Sequence, residues 1–413
     1  MKCSIEEYIN TNLPKCIREN KEDNGSLIGL PYPYIVPCAS GTFQEMYYWD
    51  TYFTNKGLIL SNNTEQARNN IDNMCYLIEK YGFVLNGNRT CYLHNSQPPF
   101  LSMMVRDVYE VTGDKEWLAK AYRALEKEHV FWSEKRGSEI GLNRYDWMPM
   151  QGEERRSAAA CLRDRIGPVD CGDEEAAARG MISSGESGWD VNPRMSARSY
   201  EYAPADLNSL LYAMEDNLSF FAAELQKQKE AEAWKELRDK RAALCRKYLK
   251  NPEGLFMDYH IPDGKQTSIL SAASFYPLYC GMADGEEAEA AKNALPRLET
   301  EYGILTCEKN DTPGNYQWDY PNGWAPMQLM VAGGLLRYGY REDALRIAKK
   351  FTDTVERCYE QTGHLWEKYN ILEGNIEAVN EYEMPAMMGW TFGVYRCFKS
   401  WKPTLSQSHK AAV

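Results

Sequence analysis

Apolar residues recur at helical spacing along most of the chain. Ala67, Ile71, Met74, Cys75 and Ile78 stand at i, i+4, i+7, i+8 and i+11, and Gly82 follows where a helix should stop. The same stripe returns in a segment opened by Pro98 and Pro99 and closed at Thr112–Gly113, then over 115–135, 205–227 and 231–249. Further helices are expected over 268–280, 286–298, 325–338, 342–360 and 385–399. Alternating runs of the β type are scarce, so the expected fold class is all-α. Helix pairs recurring every 40–50 residues or so suggest a closed toroid or a solenoid, although no repeat consensus returns at a fixed period.

Residues 145–187 break this pattern, being rich in Arg, Ala, Gly and acidic residues without a sustained apolar stripe. They are expected to form a long loop, either an active-site cover or disordered. No Pro-, Gly- or Ser-rich linker divides the chain, so residues 1–413 are expected to form a single domain.

The net charge of −12, with no block of five or more Lys and Arg, argues against binding to nucleic acid or anionic lipid. No stretch approaches the roughly 18 apolar residues of a membrane span. The first residues, MKCSIEEYINTNLPKC, lack the apolar run of a secretory signal, so a cytoplasmic protein is expected. The 12 cysteines are scattered singly and read as reduced thiols; with no CxxC pair and the five histidines isolated, neither a metal nor another cofactor is expected. A neutral small molecule fits better, and 28 Tyr with 11 Trp suit a polar substrate held against flat rings.

Candidate chemistry lies in stretches too dense in Trp, Asp, Glu, Gly and Asn to be helix interiors. They are GTFQEMYYWDTYF at 41–53, NGNRTCYLHNSQPPF at 86–100, ESGWDVNPR at 186–194, NYQWDYPNGWAP at 315–326, and LWEKYN at 365–370 with NEYEMP at 380–385. Trp precedes Asp three times, at Trp49–Asp50, Trp189–Asp190 and Trp318–Asp319. A carboxylate beside an indole can hold a sugar's hydroxyls and its C–H face together. Hydrolysis of a glycosidic bond needs one protonated carboxyl and one ionised carboxylate, and desolvation by an indole biases a carboxyl towards the protonated form.

The stretches FQEMYYWDTYF and QWDYPNGWAP resemble the two signatures of the α,α-trehalase glycoside hydrolase family, and NGNR, SQPPF, SGWD, EKYN and EY follow in that family's order between about residues 36 and 393. The resemblance implies an (α/α)6 barrel, inverting hydrolysis of an α-linked disaccharide or oligosaccharide without a metal, Asp190 as general acid and Glu367 as general base. It also implies that Phe43, Trp49, Asp50, Asn86, Asn95, Ser96, Gln97, Gly188 and Glu381 line the sugar sites, with Trp318 as a ring platform. Glu381 is the alternative base; Asp50, Asp319 and Glu45 are further acidic candidates for binding substrate or bracing the barrel, and Asn88 and Arg89 are expected to fix a loop.

Two departures bear on the substrate. Thr42 and Asn95 stand where the family carries arginines, and neither can reproduce a bidentate guanidinium contact. Three readings follow: a trehalase, an inverting hydrolase of another α-glycoside, or a non-catalytic sugar-binding protein on a hydrolase fold.

Overall fold

Caps and glycines set the helix ends that the apolar stripe predicts. In the computed structural model, which describes residues 3–386 and 389–401, the Asn63 side chain accepts from the Gln66 amide to start one helix, and Gly82 ends it at φ +85°. Along the chain the helices are α1 (Ile5–Asn12), α2 (Tyr48–Leu60), α3 (Thr64–Tyr81), α4 (Leu101–Thr112), α5 (Lys115–Lys135), α6 (Gly152–Ile166) and α7 (Glu174–Glu186). They continue with α8 (Ala205–Glu224), α9 (Gln228–Tyr248), α10 (Tyr276–Tyr279), α11 (Gly285–Ala294), α12 (Ala325–Arg337), α13 (Arg341–Thr362) and α14 (Gly389–Ser400).

Contacts run from α2 to α4, α8, α10, α12, α14 and back to α2, closing an inner ring of six helices. Five of these lead through a short connection into an outer partner, α3, α5, α9, α11 or α13. The sixth outer place falls to α1, where Glu6 pairs with Arg396 of α14 at 2.6 Å and Tyr359 of α13 donates to the Cys3 carbonyl at 2.8 Å. The result is the (α/α)6 toroid, not a solenoid. The strands are only two or three residues long and pair in small separate ladders.

Inner and outer helices differ in what they bury. Ten of the 13 residues of α2 and 11 of the 13 of α12 are buried, against four of the 21 of α9. An inner helix meets neighbours on every side, whereas an outer one meets them on a single stripe. The α2–α14 contact is backbone to backbone: a Cβ on Gly393 would lie 1.8 Å from the Phe53 carbonyl oxygen. Gly393→Ala is expected to force the two helices apart and cost about 1–3 kcal/mol, read as a lower thermal midpoint; an unchanged midpoint would show that the ring yields without strain.

Several expectations are corrected. Residues 145–187 are not a loop, since α6 and α7 pack on each other around Ala159, Leu162, Ile166, Ala177 and Ala178. Their core is built from small alanines, good helix formers that leave no strong apolar stripe. The 41–53 stretch is not wholly outside helices either, because Tyr48–Phe53 open α2. The helix expected over 268–280 is a 3-10 turn, Ala272–Phe275, followed by the single turn of α10, where Pro277 occupies a first-turn position. Pro296 likewise ends α11 in a 3-10 turn, Leu295–Arg297. The last helix is described over Gly389–Ser400 and does not start at Pro385, because Ala386 bridges Trp366. All 12 cysteines are free thiols, and no helix among the described residues is long and apolar enough to cross a membrane.

Candidate active site

One cavity gathers most of the residues singled out from the sequence. Phe43, Trp49, Asp50, Asn86, Asn95 and Gln97 line it from the first two motifs, and Gly188, Asp190, Trp318 and Glu367 from the later ones. Ser96 and Glu381 are not on that wall. Ser96 is fully buried, its amide donating to Glu186 at 2.8 Å and its hydroxyl to the Val84 carbonyl at 2.6 Å, so it braces the turn that presents Asn95 and Gln97. Glu381 stands behind Arg165, which reaches into the cavity from α6 and pairs with it at 2.8 Å.

Asp190 follows directly on the end of α7. The Ser187 hydroxyl donates to the Ser184 carbonyl at 2.6 Å and accepts from the Trp189 amide at 3.1 Å. Gly188, at φ +72°, lies so close to the Trp49 indole that a Cβ would come within 2.8 Å of it. Asp190 itself has φ +47° and Phe43 φ +58°, conformations costing a non-glycine residue about 1–3 kcal/mol that concentrate at functional sites. The Trp189 indole does not line the cavity; it is buried against the Arg194 guanidinium at 4.2 Å, and Arg194 pairs with Asp206 at 2.9 Å.

Glu367 enters through a short antiparallel ladder in which Asn322–Trp324 pairs with Lys368–Asn370, joining the NGW and EKYN motifs. Its backbone carbonyl accepts from the Trp390 indole at 2.8 Å. Only 1% of the residue is exposed. Burial raises its pKa above the usual glutamate range and the Asp190 charge adds to this, while Lys368 and the Tyr382 hydroxyl oppose it. Lys368 Nζ stands 2.8 Å from Oε2 and the Tyr382 hydroxyl donates to Oε1 at 2.6 Å. Lys368 also donates to Gln317 Oε1 at 3.2 Å, and Gln317 Nε2 donates to Asp190 Oδ2 at 3.4 Å. A continuous polar line therefore joins Asp190 to Glu367.

Other acidic candidates separate by environment. Asp50, in the first turn of α2, is pushed up to about 8 by burial and by the charges of Glu367 and Asp190, which favours its protonated form. Glu381 is pushed up to about 7 by burial and Asp190, with Arg165 opposing. Asp319 is off the cavity wall and accepts from Asn310 at 2.9 Å, while Glu45 holds Arg89 and the Tyr47 hydroxyl. The ring platform is larger than expected: Trp318 stacks on Trp324 at 3.7 Å, and Trp49 and Trp390 pack edge-on or tilted around them.

Residues missed from sequence are Arg165, Gln317, Lys368 and Tyr382. Gln317, Lys368 and Tyr382 lie inside the quoted motifs within two residues of acidic candidates, which is the signal that could have found them. Arg165 had none, because its helix α6 carries no sustained apolar stripe. Of the two substituted arginine positions, Asn95 lines the cavity, whereas Thr42 is exposed outside it.

Carboxyl groups facing one another across an indole-walled cavity in a six-hairpin toroid fit a glycoside hydrolase. The family model named Trehalase matches residues 4–400, so the chain belongs to the trehalase family. A periplasmic trehalase of Xanthomonas axonopodis pv. citri is 34% identical over 95% of this chain and 72% of that protein. The neutral trehalase Nth1 from Saccharomyces cerevisiae superposes with a TM-score of 0.76 at 27% identity, covering 97% of this chain and 80% of that one. A GH63 mannosylglycerate hydrolase from Thermus thermophilus shares the fold, with a TM-score of 0.65 at 16% identity over 96% of this chain and 99% of its own. The protein is thus a trehalase-like inverting glycoside hydrolase acting on a small sugar.

The cytoplasmic expectation is overturned. Relatives from three Xanthomonas species are periplasmic trehalases, so the lack of an apolar run in the first residues does not place this chain in the cytoplasm. The non-catalytic reading falls with family membership.

Proposed function

We propose that the enzyme hydrolyses trehalose with inversion, Asp190 acting as general acid and Glu367 as general base. The observation carrying this reading is the contrast between the two carboxyls. Glu367 is buried but held from both oxygens by Lys368 and Tyr382, which favours the ionised form a base needs. Asp190 has 27% of its side chain exposed and lines the same cavity with Arg165 3.9 Å away, within reach of a departing oxygen and with a cation beside it to stabilise the carboxylate left once the proton is given.

In this reading Glu367 takes a proton from water as the water oxygen attacks the anomeric carbon, and Asp190 protonates the bridging oxygen as the C–O bond breaks. Asp50 donates to a sugar hydroxyl, and the indoles of Trp318 and Trp49 face the sugar's C–H surface. The chain acts as one domain, with the α6–α7 pair covering the cavity and supplying Arg165 to the leaving-group side. Neither nucleic acid nor membrane takes part.

Proton NMR of the purified protein with trehalose tests this. β-Glucose from the attacked ring should appear together with α-glucose from the leaving ring, before mutarotation mixes them; retention, giving α-glucose alone at first, would overturn it. A second reading, another α-glycoside, is favoured by Arg165 being the one cation among the described lining residues. A panel of α-linked disaccharides beside trehalose, ranked by kcat/KM, decides between the two.

A further inference from the structure

Gln317 and Lys368 are both fully buried and absent from the cavity wall, yet they fill the space between the two carboxyls. Lys368 has only donors to offer, and besides Glu367 and Gln317 its ammonium faces the rings of Trp324 at 4.8 Å and Tyr382 at 5.2 Å. The group of Gln317 turned towards it must therefore be the carbonyl. That fixes the amide's other end chemically: the NH2 faces Asp190, and it faces Oδ2. The Arg165 guanidinium approaches the same oxygen at 3.9 Å. With donors already on Oδ2, the transferable proton of Asp190 belongs on Oδ1.

We propose that Gln317 and Lys368 are positioning residues that couple the acid to the base, holding Glu367 as the carboxylate and directing the Asp190 proton to Oδ1. This rests on the acid and base assignment made above. During turnover water gives a proton to Glu367 while Asp190 gives one to the leaving oxygen, so one negative charge passes from Glu367 to Asp190 and the total is unchanged. Lys368 favours the charge at its starting place and Gln317 at its destination. A neutral amide joined to a fixed cation serves both ends without itself gaining or losing a proton.

The charged and titratable groups around Glu367 are Lys368 and Tyr382 in contact, Asp190, Asp50 on α2 and the Cys38 thiol. Arg165 and Glu381 stand beyond Asp190. Among the described residues Lys368 is the one cation in contact with the base. Its removal should raise the pH at which the base ionises.

The test is the pH dependence of kcat and kcat/KM for Gln317→Leu, Lys368→Met and Lys368→Arg, with Asp190→Asn and Glu367→Gln alongside and thermal midpoints for all. Gln317→Leu should lower kcat about 10- to 100-fold with little change in KM, the loss expected for a hydrogen bond to a charged group. Lys368→Met should move the acid limb of kcat/KM up by about one pH unit or more, and Lys368→Arg should restore it in part. Wild-type pH limbs in Lys368→Met and wild-type kcat in Gln317→Leu would overturn the coupling. If Lys368→Met does not fold, Gln317→Leu decides, since it exchanges a neutral side chain for one of similar size. Activity in Asp190→Asn or Glu367→Gln would instead remove the assignment beneath it, a different failure with its own signature.

Discussion

Glu367→Gln is expected to fold normally and to lose about 10²- to 10⁴-fold in kcat, and Asp190→Asn to lose a comparable factor on trehalose. The two losses should separate by leaving group. A glucosyl fluoride departs without protonation, so it should recover much of the activity of Asp190→Asn and none of that of Glu367→Gln. If Glu367→Gln stays active, the base is Glu381, which is held by Arg165 beside Asp190. The wild-type pH profile carries the same assignment. A base works ionised, and burial raises the Glu367 pKa; activity should thus be present above that raised value and be lost as pH falls through it. That limb should lie above the ~4.3 of an unperturbed glutamate, and a limb at or below that value would point to a different, more solvated base.

Arg136→Met is expected to destabilise the protein by about 3–5 kcal/mol, the penalty for leaving a buried charge without its partner. Arg136 and Glu186 are almost wholly buried and meet through two hydrogen bonds of 2.7 and 2.8 Å. Glu186 also accepts from the Ser96 and Asp146 amides, at 2.8 Å each, and Asp146 in turn holds Arg179 of α7. This pair therefore ties the Asn95–Gln97 turn and the α6–α7 pair to the strand of chain leading to Asp190. The urea midpoint should fall accordingly, and KM should rise in the protein that remains folded. A cost below about 1 kcal/mol, ordinary for an exposed pair, would show that solvent reaches Glu186.

Five of the six outer helices, α3, α5, α9, α11 and α13, were legible because each buries one face; the short α1, with Ile9 its one buried residue, was not expected. The spacing from Ala67 to Ile78 marks the inward side of α3, and Gly82 its end, with no tertiary information needed. α2 was not legible as a helix for the opposite reason: with Tyr48 to Asn55 buried on every side it has no polar face, and its Trp and Asp looked like a loop motif. The α6–α7 pair escaped because alanines bury little area and leave a weak stripe. Both errors touched the site, since α2 carries Asp50 and α6 carries Arg165.

By itself the sequence determined the class of fold, the family, and the acidic residues at issue, because those depend on local periodicity and on motifs read along the chain. Only the tertiary structure decided which of those acids share a cavity and in what electrical state. Asp319 and Asp190 each follow a tryptophan, yet one is tied to Asn310 away from the cavity and the other stands on its wall. The difference lies in desolvation and in the partners that chain folding brings within hydrogen-bonding distance, such as Lys368 at Glu367 and Gln317 at Asp190; neither is a property of a residue and its neighbours in sequence.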